Sequence, residues 1–433
     1  MNLTLNRRQR LAYDHLIQGH SVFVTAAGGY GKTEVIRKFA KESKKKVALT
    51  STTGTSALLL GGHTLHSYLG IGLGDGCVDW LVEKITKRRY LMRKWKSVDI
   101  LIIDEISMLN PDLFDKLNLV AQRVRNSSKP WGGIQLCISG DFLQLPVVKS
   151  DRYTFEAASW NESIDKVILL TENVRQMGDV VYRGILDRCR MGDHTDHDIS
   201  ILNKRVDARI GCGGIVPTKL FSKNVNVDYH NENALDELNR QANDNGTELT
   251  FYNYEMLAKV VNTKVPTYKI EKARRNTITP ESLTLCVGAQ VMLLMNIFEG
   301  DAEKRSLVLG NGSRGVVVDF VDDVPLVKFM DGTVRKIQDN DFEVTNEHNK
   351  QIDIILTQTP LRLAWAITIH KSQGLTLDCA EVDTRGCFCS GQAYVALSRV
   401  KSLAGLSLKH PIVSTDIIAN KKCVDYYNKN KPS

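Results

Sequence analysis

The stretch SVFVTAAGGYGKTEVIRKFA, residues 21–40, decides the fold. Its first part, Ser21 to Thr25, is a short apolar run of strand length. The glycine-rich turn Gly28-Gly29-Tyr30-Gly31-Lys32-Thr33 follows, and Thr33 to Ala40 then carries apolar residues at helical spacing. Strand, glycine turn, helix is the order that phosphate binding demands. Glycines let backbone N–H groups close around phosphate oxygens, and the helix N-terminus adds positive potential. Lys32 can reach the β- and γ-phosphates, and the Thr33 hydroxyl can ligate Mg²⁺. Ala26 stands where the usual pattern has its first glycine. Alanine keeps the turn if its φ is negative.

Working outward, Val47 to Thr50 reads as a second strand, Ile100 to Ile103 as a third and Ile134 to Ser139 as a fourth. Residues 5 to 18 read as an amphipathic helix with Leu11, Leu16 and Ile17 on one side, and Leu113 to Val124 has helical periodicity. Strands alternating with helices predict an α/β fold with parallel sheets, whose ligands bind at the carboxyl ends of the strands. From Leu283 to Phe329 the pattern changes to short β runs, and Asp331-Gly332 before Val334 signals a hairpin. A small β insertion is expected there. After Gln358 the alternation returns and ends in the helix-like stretch Gly391 to Arg399. The basic run Lys44-Lys45-Lys46 reads as a solvated helix end.

A length of 433 residues suggests two or three domains, and 42% apolar with 24% charged residues excludes a disordered or fibrous chain. No apolar stretch is long enough to cross a bilayer. Met1 to Arg10 holds three arginines with no apolar run behind them, so no secretory signal is read and an intracellular location is expected, in bacterial or infected-cell cytoplasm or in a nucleus or mitochondrion. The net charge of +8 permits a polyanionic partner without requiring one. Nine cysteines without a CxxC pair indicate neither a disulfide framework nor structural zinc, and free thiols are expected.

The third strand ends in Asp104 and Glu105. Behind a phosphate loop, Asp104 is the carboxylate expected beside Mg²⁺, and Glu105 the base that polarises the attacking water. Gly140-Asp141-Phe142-Leu143-Gln144-Leu145-Pro146 repeats the theme at the next strand end. There Gln144 can bond the γ-phosphate and report its loss.

Several ordered segments now resemble one family. Leu113-Phe114-Asp115-Lys116, Trp131 to Leu136 and Gly140 to Pro146 look like the signature region of Pif-type helicases, the petite-integration-frequency family of superfamily 1B. Leu170 to Gln176 resembles that family's fourth motif, LRLAWAITIHKSQGLTL from Leu361 to Leu377 its fifth, and Gln392 to Arg399 its sixth. The resemblance implies two RecA-like domains with ATP between them. It places the first domain at 1–67 and 98–165, a wedge-like insertion at 68–97, the second domain at 166–240 and 353–433, and an SH3-like β insertion at 241–352. It assigns the nucleotide to Gly28, Gly29, Tyr30, Gly31, Lys32, Thr33, Asp104, Glu105, Gln144 and Gly374. Arg175 and Arg399 match its arginine fingers, and Gln9 its adenine-reading glutamine. A permanently charged, planar guanidinium suits the transferring phosphoryl group.

The resemblance also implies a track for single-stranded DNA. Ser51 to Ala57 is similar to the family's strand-gripping motif, through Thr53 and Gly54, although Thr52 replaces a more usual proline. Thr64, His66 and Ser67 match the next such motif, and His370, Lys371 and Ser372 that of the second domain. Small hydroxyls and helix N-termini hold phosphates without reading bases. Phe142 or Tyr68 is expected to add base stacking. Asn311, Gly312 and Arg314 fall in the family's NGxxG segment. The resulting expectation is an ATP- and Mg²⁺-dependent 5′→3′ DNA helicase, monomeric in solution, that binds single-stranded and forked DNA and no membrane. The polarity comes from the resemblance alone. The rival reading is a DNA-stimulated translocase that displaces proteins without efficient unwinding.

Overall fold

In the computed structural model of the chain, the strand that leads into the phosphate loop is flanked on both sides by parallel neighbours. The structure describes residues 5–431 apart from 73, 148–149, 173–177, 211–214, 262–264, 296, 300–305, 310–311 and 346–351. The strands are β1 (Val22–Thr25), β2 (Val47–Ser51), β3 (His63–Thr64), β4 (Ile100–Asp104), β5 (Gln135–Gly140) and β6 (Lys166–Leu169). They form one sheet in the order β3-β2-β4-β5-β1-β6, with every pairing parallel. All residues of β1, β4 and β5 are buried, as strands covered on both faces must be. Val22, Val24, Ile100 and Ile102 meet helices α1 (Arg7–Ile17) and α2 (Lys32–Glu42) on one face. Phe23, Leu101, Ile103, Leu136 and Ile138 meet the long helix Pro111–Arg125 on the other. The face that α1 buries is Gln9, Ala12 and Leu16, whereas Leu11 and Ile17 are exposed, which corrects the stripe expected for this helix.

Several expected boundaries move. Lys166–Leu169 pairs with β1, so it closes the first sheet instead of opening the second domain. The expected wedge does not have its own core. Helices α3 (Gly54–Leu60) and α4 (Leu65–Leu69) lead into α5 (Val78–Thr86) and α6 (Arg89–Ser97). From the last two, Leu81, Ile85, Leu91 and Trp95 pack into the same cluster as α7 (Pro111–Arg125). Trp95 Nε1 donates to Leu69 O at 3.1 Å. The C-terminal helix, Lys421–Lys429, also returns to this first lobe, where Cys423 and Tyr427 are buried.

The second lobe has its own parallel sheet, ordered Ala366–Thr368, Thr218–Phe221, Ala380–Val382, Leu406–Leu408. The α/β class with two parallel-sheet domains is therefore as read from the sequence. After α8 (Trp160–Ser163), helix α9 (Val180–Met191) buries Tyr182, Ile185, Leu186 and Cys189 against this lobe. Arg188 of α9 bonds Asp198 of α10 (Asp196–Asn203) at 2.5 Å. Between the two halves of the sheet sits the β insertion, with α11 (Asn224–Asp244) and α12 (Thr267–Asn276) beside it. Its five-stranded sheet ends on Leu361–Leu363, and Ile352–Gln358 belongs to a neighbouring three-stranded sheet. The insertion thus begins after α11 and runs to 363, where 241 and 352 had been expected. Strand partners, which sequence periodicity does not reveal, set those limits. The expected hairpin forms: Phe329 N–H donates to Thr333 O at 2.8 Å around Gly332, whose φ is 87°.

Arg314 is buried at the seam between insertion and second lobe, where it donates to Thr218 Oγ1 at 2.8 Å. Asn311 lies outside the described residues, and neighbouring Gly312 has φ 93°. Among the described residues seven cysteines, Cys387 and Cys389 included, are free thiols; Cys379 is disulfide-bonded, against expectation. Among the described residues no helix is long and apolar enough to cross a membrane.

Candidate functional site

The phosphate loop takes its shape from two glycines in left-handed backbone, Gly29 at φ 87° and Gly31 at φ 76°. Ala26 is not among the positive-φ residues, so alanine keeps the turn. Lys32 opens α2, and its Nζ donates to Ala26 O at 2.7 Å and Ala27 O at 3.0 Å. Withdrawal from water lowers its pKa, against the pull of the Asp141, Glu105 and Asp104 carboxylates around it. Thr33 follows on the same turn of α2. Gln9 lies behind the loop: its Nε2 reaches Gly31 O at 3.4 Å, and its Oε1 accepts from Asn6 N–H at 3.0 Å in a capping box.

Asp104 ends β4, and Glu105 follows in left-handed backbone with φ 55°. A non-glycine residue in that conformation is a strained position of the kind found at functional sites. Burial, then the Asp104 charge, raises the Glu105 carboxyl to about 7, while Lys32 and Arg399 oppose the rise. Gln373 of the second lobe donates to Glu105 Oε2 at 3.0 Å. Lys32 from one lobe and Arg399 from the other therefore act on the same carboxylate. Arg399 is only 1% exposed. Its guanidinium is held by Val395 O at 2.8 Å and Ser398 Oγ at 2.7 Å. Burial lowers its pKa.

Further bonds cross the cleft. Gly28 N–H donates to Tyr394 Oη at 3.3 Å, and Tyr30 Oη donates to Asp187 at 2.8 Å. Arg190 of α9 grips Asp141, just beyond β5, through two bonds of 2.9 and 2.7 Å. Burial alone would raise the Asp141 carboxyl; Arg190 overrides it and holds the pKa below the usual value. Asp141 in turn accepts from Gln144 Nε2 at 3.3 Å. The Tyr427 ring lies 4.6 Å from the Arg190 guanidinium. The sequence reading gave no role to Arg190, Asp187, Tyr394 or Tyr427. One signal was present: Arg190 continues the apolar stripe of Tyr182, Ile185, Leu186 and Cys189, and a charge on such a stripe needs a buried partner.

The described residues contain no group of three His, Cys, Asp or Glu able to hold a metal ion by themselves. Mg²⁺ usually takes one or two protein oxygens together with substrate phosphates. A Thr33 hydroxyl and an Asp104 carboxylate near the Lys32 ammonium fit such an ion.

The residues assigned to DNA differ in exposure and in the bonds they make. Thr53 and Thr64 act as helix caps: Thr53 Oγ1 accepts from Ser56 N–H at 3.2 Å and Thr64 Oγ1 from Ser67 N–H at 3.3 Å. Gly54 is open, with nothing within 4 Å of a Cβ placed there. His66 and His370 are partly buried, which lowers both pKa values, and Lys371 is exposed on the short helix α13 (Ile369–Ser372). Tyr68 is half-buried beneath Lys94, whose Nζ lies 3.9 Å from its ring. Two assignments fail on burial. Ser372 is fully buried and donates to Ile369 O at 2.7 Å, so it does not face a strand. Phe142 is 1% exposed, packed 4.9 Å from Phe155 and 5.3 Å from Phe23, so it is core and no stacking platform. Gly374, with φ 80°, forms the turn after Gln373 and is not seen lining the loop. Arg175 lies outside the described residues.

A family model described as PIF1-like helicase matches residues 4–184. The ATP-dependent DNA helicase PIF1 of Xenopus laevis is 36% identical over 93% of this chain, which spans 61% of that protein. A crystal structure of Pif1 helicase from Candida albicans superposes with a TM-score of 0.81 at 33% identity, covering 99% of this chain and 100% of that one. The Bacteroides sp Pif1 in complex with ADP-AlF4 gives a TM-score of 0.79 at 27% identity, covering 99% and 97%. Bacteroides Pif1 bound to ssDNA gives 0.67 at 29% identity over the same shares.

Proposed function

This chain belongs to the PIF1-like helicase family, and we propose that it hydrolyses ATP between its two parallel-sheet lobes to move 5′→3′ along single-stranded DNA and unwind duplex. One observation carries the reading: Lys32 of the first lobe and Arg399 of the second both act on Glu105. In this reading Lys32 and the N–H groups of Gly29 and Gly31 hold the triphosphate. Glu105 orients the attacking water and accepts its proton. Arg399, with Arg175 as a second candidate, stabilises charge on the γ-phosphoryl group. Thr33 and Asp104 would hold Mg²⁺, which supplies charge neutralisation on the phosphates when bound.

Coupling to the strand follows from chain adjacency. Lys371 lines an open groove between Gly54, α13 and the base of the β insertion, while Gln373, two residues on, bonds Glu105. A strand that shifts α13 therefore shifts the hydrogen bond that tunes the water-activating carboxylate. The test pairs ATP hydrolysis, with and without single-stranded DNA, with unwinding of 5′- and 3′-tailed duplexes. Stimulation by the strand and unwinding of the 5′-tailed duplex are expected. Hydrolysis indifferent to the strand would remove DNA from the reading, and preference for the 3′ tail would reverse the polarity. A protein active as a monomer is part of the same proposal, checked by unwinding rates that are linear in enzyme concentration.

A further inference from the structure

The side chain in the middle of the phosphate loop does not belong to one lobe alone. Tyr30 stands between Gly29 and Gly31, both in left-handed backbone. Its ring is buried in the first lobe, in the cluster that holds Val24, Val35 and Ile36. Its hydroxyl leaves that lobe and donates to the Asp187 carboxylate on α9, 2.8 Å from one oxygen and 3.0 Å from the other. Burial pushes the Asp187 carboxyl up, and the Tyr30 hydroxyl opposes the rise more strongly than Arg190, Arg183 or Arg188. The bond therefore favours the ionised carboxylate, which is the stronger acceptor. The loop is tied to the second lobe at another point as well: Gly28 N–H donates to Tyr394 Oη on α14 (Gln392–Leu397) at 3.3 Å.

Glycines without a Cβ leave the loop backbone free to take many conformations. The place of the Tyr30 N–H therefore depends on where the Tyr30 side chain is held. The ring anchors it in the first lobe, and Asp187 holds its far end from the second. Asp187 moves with the second lobe, because its helix buries Tyr182, Ile185, Leu186 and Cys189 there. When the lobes part, the carboxylate leaves and the hydroxyl loses this acceptor. When they close, the loop is braced before the phosphates settle, and donors that are already in place need no reorganisation.

We propose that Asp187 is a positioning residue for the nucleotide: acting through Tyr30, it lets the second lobe set the shape of the phosphate loop, so that cleft closure and the hold on the triphosphate strengthen each other. The proposal rests on the ATP-cleft reading above and deepens it. Asp187 itself needs no contact with the nucleotide.

The experiment pairs steady-state ATP hydrolysis of the full chain, at saturating single-stranded DNA, with titration of a fluorescent non-hydrolysable ATP analogue. Tyr30→Phe keeps the ring and removes the hydroxyl; Asp187→Ala removes the carboxylate. Each is expected to raise KM for ATP and Kd for the analogue about tenfold, the low end for a hydrogen bond to a charged group. The kcat should stay close to wild type, since the bond is made alike before and during the chemistry. The double variant should be no worse than either single one. Asp187→Asn keeps an acceptor oxygen and should fall between wild type and Asp187→Ala. Tyr254→Phe, which removes a hydroxyl that donates to Asp323 O at 2.6 Å within the β insertion, should leave KM, Kd and kcat unchanged. If Asp187→Ala does not fold, Tyr30→Phe and Asp187→Asn carry the test, because both keep the packing. Wild-type KM and Kd in Tyr30→Phe would overturn the proposal. Losses that multiply in the double variant would also overturn it, by marking two separate roles, and so would a loss confined to kcat, which would place the pair in the chemistry. A wild-type chain that neither binds nor hydrolyses ATP would instead defeat the underlying reading of function.

Discussion

The cleft and the groove handle buried charge in opposite ways. In the cleft four charged groups have built-in partners: Asp141 has Arg190, Glu105 has Gln373, Lys32 has two carbonyls, and Arg399 has Val395 O and Ser398 Oγ. In the groove, which Asp228 and Glu281 also line, Lys371 and Arg362 repel each other and the buried Arg274 Nε has no partner among the described residues. The difference fits the two tasks. A site for chemistry works best when its dipoles are fixed before the substrate arrives. On the proposed reading the groove holds a travelling polyanion, which must be gripped and released, so its cations would be left for the phosphates to satisfy.

The largest expected effect separates the two regions outright. Lys32→Ala should lower ATP turnover by about 10²-fold or more, the scale of losing one preorganised group that faces developing charge. Strand affinity should stay close to wild type, because the groove cations lie elsewhere. Steady-state hydrolysis and anisotropy on one preparation decide it. Normal turnover in this variant would refute the phosphate-loop assignment.

The next contrast concerns stability. Arg190→Gln leaves the buried Asp141 carboxylate without its counter-charge, and breaking such a pair typically costs about 3–5 kcal/mol. Denaturant unfolding should show a loss of that size, and adding Asp141→Asn should recover part of it. Arg362→Gln in the absence of DNA should show no such loss, since it removes a cation that repels its neighbour. Equal destabilisation by the two substitutions would erase the distinction between partnered and waiting charge.

How far the sequence could be read follows the same division. Lys32 opens the helix behind the glycine turn, and Asp104, Glu105 and Gln144 lie at or just beyond the ends of apolar strands, so local pattern located them beside the phosphate loop. Arg190, Asp187, Tyr394 and Tyr427 matter through partners about 157 to 366 residues away in the chain, or 49 for Arg190 and Asp141, and no local pattern holds that information. Phe142 shows the converse. Its motif faces the cleft through Asp141 and Gln144, but the ring between them points back into an aromatic core, and only the backbone path reveals the alternation. The limits of the β insertion were missed for a related reason: an apolar strand such as Ile352–Gln358 carries no mark of which sheet it will join.

The smallest expected effect is a pH limb that belongs to the cleft and not to the groove. Burial and the neighbouring Asp104 raise the Glu105 carboxyl from 4.5 to about 7. The base must be ionised to accept a proton, so turnover at saturating ATP and DNA should climb up to tenfold per unit well below pH 7 and level off above it. The same shift acts on stability with the opposite sense. The folded protein binds this proton more tightly than the unfolded chain, so as pH rises from 4.5 to about 7 the Glu105 contribution to stability declines. Strand affinity should be nearly flat from pH 7 to 8, because burial lowers the pKa of His66 and His370 below the usual 6.5 and both stay neutral there. Gln373→Ala tests the link between the regions. Its hydrogen bond favours the charged carboxylate, so removing it should move the limb to higher pH by a fraction of a unit. A limb that stays in place would show that Gln373 does not tune Glu105, and the adjacency of Lys371 and Gln373 would then lose its role in carrying strand contact to the cleft.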